Sequence, residues 1–331
     1  MTLPIAGNPI SLTDLRNEMG GLAPLSLSDY YNIIPGTAGS NLGPISLSEF
    51  YNKKFYVVEE ITSDTIWTPK NMNATNVHIV VVGAGGSGGC AWPRSGSIDG
   101  VGASSGGAAG GVAYSIIAGE EITSAQIVIG VGGAGVSVSS EGAYSPGNDG
   151  TYSQFLCSLV NMIGAGGEGG AAITVTDSGA TTGNTAISVG GTAHGGNAGN
   201  FKGGDGGATN IRVYGVGKVA SGGGAISFSI DHNSLSNSNT ANGMISTGGI
   251  KVSDYPTFPD ILSDYIIGRG QTPILSSSIF SYDASDGNIL DAISTTGDVI
   301  FGSGSGGCSH EASPGSGKGG DGVVYIIYEI I

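Results

Sequence analysis

Two runs of consecutive apolar residues frame most of this chain, Ile79 to Val82 near the front and Val323 to Tyr328 at the back. A short unbroken apolar run bounded by turn residues predicts a strand. Shorter stretches alternate instead. Gln126 to Val131 and Asn210 to Tyr214 place apolar residues at every second position, the pattern of half-buried strands. Between these runs glycine breaks every period, and from Ala225 to Phe301 the text becomes rich in Ser, Asn, Asp, Ile and Tyr. The patterning predicts a mainly β protein, read as a β-sandwich-like body with a glycine-rich interior. Residues 56–331 form that domain, with an insertion at about 225–301.

Residues 1–55 follow another rule. One phrase occurs three times, at Pro9–Asn17, Pro24–Asn32 and Pro44–Asn52. In each, a serine (Ser11, Ser26, Ser46) stands three residues before an acid (Asp14, Asp29, Glu49), the spacing of a capping box. Apolar residues flank it as a hydrophobic staple: Ile10 with Leu15, Leu25 with Tyr30, Ile45 with Phe50. Three short helices are expected, ended within about two turns by glycine, proline or charge. Helices that short bury little surface alone. Residues 1–55 are therefore expected to dock on other copies or on a partner through Leu15, Tyr30, Tyr31, Phe50 and Tyr51.

Composition sharpens the picture of the body. Glycine supplies 63 of 331 residues. It loses the most backbone entropy on folding and buries no side chain, so heavy use implies either disorder or backbones packed closer than a Cβ permits. Disordered chains pair low hydrophobicity with high charge. Here 39% of residues are hydrophobic and 11% charged, which favours an ordered domain. Two architectures satisfy it: extended polyglycine or polyproline-II-like helices packed side by side and capped by strands, or long irregular loops on a β-sandwich.

A net charge of −15 excludes a nucleic-acid partner, since phosphate binding needs a basic face. Cys90, Cys157 and Cys308 show neither metal-ligand spacing nor an even count for a closed disulfide framework, so synthesis in a reducing compartment is expected. The N-terminus has no basic region followed by an apolar core, so no signal peptide is expected. No apolar stretch approaches the ~18 residues of a membrane span.

Two motifs suggest chemistry and fail in context. Gly83-Ala84-Gly85-Gly86-Ser87-Gly88 spells the dinucleotide fingerprint after an apolar strand, but Trp92-Pro93 and further glycine follow where that fold requires a helix. Asp-Gly pairs recur at Asp99, Asp149, Asp205, Asp286 and Asp321 without the tandem order of a calcium repeat, and turn chemistry accounts for them. His78, His194, His232 and His310 fall in no nucleophile–base–acid order. Neither a cofactor nor a metal nor a catalytic residue is expected.

Recognition is expected instead from aromatic residues beside polar ones, flat apolar faces with hydrogen-bonding neighbours. In the insertion these are Tyr255, Phe258, Tyr265 and Tyr282; in the glycine-rich loops they are Trp92 and Tyr144, with Tyr152 and Phe201 alongside.

The Trp67-Thr68-Pro69 lead, the valines running into Gly83–Gly89, the Ile127–Gly135 stretch and the closing Gly319–Tyr328 resemble the glycine-rich domain of bacteriophage tail-fibre and related virion proteins. In style the body is similar to the adhesin at the tip of T-even long tail fibres. The Pro44–Tyr51 phrase likewise resembles N-terminal segments of phage structural proteins. The resemblance implies a non-enzymatic virion protein, made in the host cytoplasm and placed in a tail fibre or baseplate. It would bind other virion proteins through residues 1–55 and a polysaccharide or protein of the host surface through the body. A homo-oligomer is implied, a trimer by analogy. A head, neck or tail decoration protein binding only virion partners is the alternative, and a tail-associated polysaccharide depolymerase a third.

Overall fold

A computed structural model describes residues 55–70, 74–92, 101–119, 121–175, 182–184, 188–206, 210–212, 219–221, 228–229, 250–251, 301–302, 304–305, 308–309 and 315–330. The three N-terminal repeats lie outside the described residues, and with them Leu15, Tyr30, Tyr31, Phe50 and Tyr51. The insertion aromatics Tyr255, Phe258, Tyr265 and Tyr282 lie outside them as well.

Every helix or strand among the described residues is a strand. Ten of them build two principal sheets: β1 (Phe55–Ile61), β2 (Thr65–Trp67), β3 (Ala74–Val82), β4 (Val112–Ala118), β5 (Ala125–Val128), β6 (Ser153–Leu156), β7 (Asn161–Gly164), β8 (Ala193–His194), β9 (Gly199–Phe201) and β10 (Val323–Ile330). The larger sheet runs β1-β10-β3-β4-β9 and the second β8-β7-β6-β5-β2, all antiparallel.

The two apolar runs of the sequence are the paired central strands β3 and β10, in register from Val82↔Val323 to Val77↔Tyr328. Side chains alternate across a strand. One face accordingly presents Val77, Ile79, Val81, Val324, Ile326 and Tyr328 to a core shared with Trp67, Ile127, Phe155 and Met162 of the second sheet. The other presents Val80, Val82, Val323, Tyr325 and Ile327 to a separate cluster with Tyr114. Burial on both faces is why these strands read as continuous rather than alternating. Trp67 joins the two sheets, its ring 5.9 Å from Phe155 and 6.4 Å from Tyr328.

Beyond the C-terminal end of β3 the glycine-rich text forms a hydrogen-bonded lattice. The 83–89 segment shows its rule. Gly83, Gly86 and Gly89 donate to the carbonyls of Gly111, Ala108 and Ser105, all in the 105–111 segment. Ala84 and Ser87 donate to Thr151 and Asn148, and Gly85 to Gly320. Successive residues thus address three different neighbours, and every third returns to the same one. The 105–111 segment repeats this: Ser105, Ala108 and Gly111 donate to Ala171, Glu168 and Ala165, whereas Gly107 and Gly110 donate to Ser305 and Gly302.

Such lateral bonding needs backbones at near contact. A Cβ built on Gly83, Gly86 or Gly89 would fall on the carbonyl of Ala165, Glu168 or Ala171 respectively. The three-residue spacing of those overlaps matches that of the hydrogen bonds. Glycine is required here for close approach rather than for an unusual φ.

The lattice is finished by side chains. The Asp149 carboxylate accepts the Gly169 N–H at 2.8 Å, Glu168 that of Val189 at 2.8 Å, Asp205 that of Gly190 at 2.8 Å and Asp321 that of Gly132 at 2.7 Å. Lys202 and Lys318 hold Asp205 and Asp321 from three residues upstream, each at 2.6 Å. The Asp-Gly pairs at 149, 205 and 321, read from sequence as turns, therefore do more: each acid supplies an acceptor to a neighbouring segment's backbone.

Candidate recognition surfaces

The fingerprint-like 83–88 stretch is part of this lattice. Its backbone N–H groups are taken by protein carbonyls and by Ser305, and the strand Cys90–Ala91 follows it. The donors that a pyrophosphate would need are already in use.

Two of the aromatics singled out in the sequence, Trp92 and Tyr144, come together in a small three-stranded sheet. There Cys90–Ala91 lies between Tyr144–Ser145, antiparallel, and Cys308–Ser309, parallel. Tyr144 stands opposite Ala91 and is 55% exposed. Trp92 donates its backbone N–H to Ala143 and accepts that of Gly142, whose φ of 75° closes the turn. Alternation puts Trp92 on the same face as Cys90, where it packs with Val136, Val138 and Ala143. The two aromatics are therefore neighbours in the ladder but back to back, and do not share one platform. The Trp92 indole N–H is buried and meets no acceptor among the described residues. Phe201 is partly buried and packs against the cluster that holds Tyr114 and Tyr325, and Tyr152 is half exposed.

An exposed apolar area lies on the outer face of the second sheet. Cross-strand partners share a face, so one row reads Ile66–Gln126–Leu156–Asn161 and the next Val128–Gln154–Ile163–His194. Ile66 is 80% exposed and Leu156 38%. Tyr152 extends the outward line of Leu156 and Gln154 along the β6 chain, and Gln154 donates to Asn161 at 2.7 Å. No Asp, Glu, Lys or Arg stands in either row. On a chain of net charge −15 this face is neutral, apolar and edged with amides. Composition does not reveal it, because its residues come from five short strands.

A buried polar array occupies the far side of the larger sheet. His78 Nδ1 lies 2.7 Å from the Tyr114 hydroxyl and Nε2 lies 3.2 Å from Glu329, which also accepts from Asn76 at 3.3 Å. Acid, imidazole and hydroxyl stand in the order of a catalytic relay. However, His78, Glu329 and Tyr114 are all buried, Tyr114 completely, so this hydroxyl is closed to a substrate and the array ties β10, β3 and β4 together. His78 is the one histidine of the sequence that acquires an acid and a hydroxyl partner among the described residues.

Mainly β architecture, backbone-packed glycine segments and side-chain-finished lattice edges define a class of glycine-rich β domain. The family model described as "Glycine-rich domain" matches residues 61–329, and the chain belongs to that family. No curated protein matches the chain.

Proposed function

We propose that this chain is a non-enzymatic bacteriophage virion protein, an adhesin of the tail fibre or baseplate. Its glycine-rich body would present a binding face to the host surface. The observation that carries the reading is the neutral outer face of the second sheet. Interface centres are depleted of charge and enriched in apolar and aromatic groups, and Ile66, Leu156 and Tyr152 stand exposed there among amides. The lattice beyond the ends of the sheets is crosslinked by backbone hydrogen bonds, which suits a surface that must keep its shape. In this reading the glycine segments are polyproline-II-like helices, consistent with their three-residue bonding repeat, and the two sheets form a sandwich that caps them. Residues 1–55 dock on other virion proteins, and the assembly is a homo-oligomer.

Adsorption decides the matter. The purified chain is expected to bind host cells or their extracted surface polysaccharide and to block phage adsorption, and Ile66→Asp with Leu156→Asp is expected to abolish both. A chain that captures virion components through residues 1–55 but never binds the host surface is a decoration protein. Shortening of the polysaccharide would make it a depolymerase.

A further inference from the structure

Cys90 and Cys308 lie at opposite ends of the glycine-rich body in sequence, yet they are Cα partners in the parallel pairing of Cys90–Ala91 with Cys308–Ser309. Paired strands run about 4.8 Å apart, and disulfides form across Cα separations of roughly 4.4–6.8 Å. Residues in register on a parallel ladder project their Cβ atoms to one face of the sheet. Each of the two strands is two residues long, so the backbone at this pairing can adjust locally to a cross-strand bond. Cys157 stands elsewhere, beyond the end of β6, where its N–H bonds Val160 at 3.0 Å.

We infer that Cys90 and Cys308 form a redox-sensitive cross-strand disulfide, assembled by exchange with a small external disulfide such as oxidised glutathione. One cysteine thiolate attacks the external disulfide, forming a mixed disulfide and releasing one thiol. The second thiolate then displaces the other half as a second thiol. Two protein thiols are oxidised, one external disulfide is reduced, and two protons leave the cysteines. Cys90 is fully buried, which slows entry of the oxidant and shields the finished bond from reductants. The bond would staple the exit of the 83–89 segment to the chain returning at 304–309. The inference stands independently of the adhesin reading, since it rests on the register alone.

The test is incubation of the folded chain with oxidised glutathione, warmed in steps until Cys90 becomes alkylatable. Acid quench, alkylation and non-reducing peptide mass spectrometry then report the products. Titratable thiols are expected to fall from three to one, with a Cys90–Cys308 linked peptide and Cys157 still alkylated. Oxidation should raise the unfolding midpoint of the wild-type chain, reversibly with dithiothreitol, and should leave the Cys308→Ser midpoint unchanged. Three thiols persisting at the temperature where Cys90 alkylates would overturn the inference. So would separate glutathione adducts on Cys90 and Cys308, or links that involve Cys157.

Discussion

The Ser305 hydroxyl accepts the backbone N–H of Gly88 at 2.8 Å. It donates its own O–H to the Gly317 carbonyl at 2.5 Å. One step earlier in the same ladder, Gly85 donates directly to Gly320. Three residues on, the equivalent bond from Gly88 to Gly317 is spliced by a serine from a third segment. Ser305→Ala removes the splice and leaves a buried donor and a buried acceptor without it. An unsatisfied buried polar group costs ~1–3 kcal/mol, so a loss of about 2–4 kcal/mol is expected in denaturant unfolding. A change within ~0.5 kcal/mol, the range of ordinary surface substitutions, would show that the relay carries no weight.

Glycine packing makes a sharper demand at Gly86. A methyl group there meets the Glu168 carbonyl and the Gly169 nitrogen, both backbone atoms that no rotamer change can move aside. Gly86→Ala is expected to lower stability by ~3 kcal/mol or more, at the upper end of overpacking. Ala134→Gly, at an exposed position of the same lattice, should change it by less than ~1 kcal/mol. An unchanged melting point in Gly86→Ala would mean that the segment is a loop free to move.

Tyr328 offers a test by pH. Burial, and then its hydrogen bond to Glu59, push its hydroxyl well above the usual tyrosine value near 10. The folded chain holds this proton while the unfolded chain releases it above about pH 10. The contribution is therefore complete below that pH and is lost as pH rises beyond it. The wild-type chain should lose stability more steeply above about pH 10 than Tyr328→Phe. In alkaline difference absorbance, Tyr328→Phe should remove one tyrosine from the set that ionises only with unfolding. Equal slopes in the two proteins would refute this.

The outer face of the second sheet should tolerate charge in folding but not in binding. Ile66→Asp and Leu156→Asp alter exposed side chains, so each should leave stability within ~0.5 kcal/mol while adsorption blocking falls at least tenfold. If binding survives both, the recognition surface lies elsewhere, with exposed Tyr144 of the small sheet next to be tested.

The strands were the legible part of this chain. Ile79 to Val82 and Val323 to Tyr328 announced strands, and Gln126 announced the alternation of β5, because side-chain pattern is local information. Trp92 and Tyr144 were legible as candidates, but not the fact that Ala91↔Tyr144 pairing sets them back to back. The neutral face was invisible, since Ile66, Gln126 and Leu156 become neighbours only when β2, β5 and β6 pair. The acids of the Asp-Gly pairs were visible as turn formers, whereas the N–H groups that Asp149 and Asp205 accept belong to other segments.

By itself the sequence determined a mainly β, ordered, glycine-rich domain: apolar runs specify strands and low charge argues against disorder, but packed helices and irregular loops stayed equally open. Only the tertiary structure decided which carbonyl each glycine addresses, which acid finishes which edge and which cysteines share a register. A glycine run carries no side chains to encode its partners, so its register is set from outside, by the strands it connects and the few serines and acids at its margins.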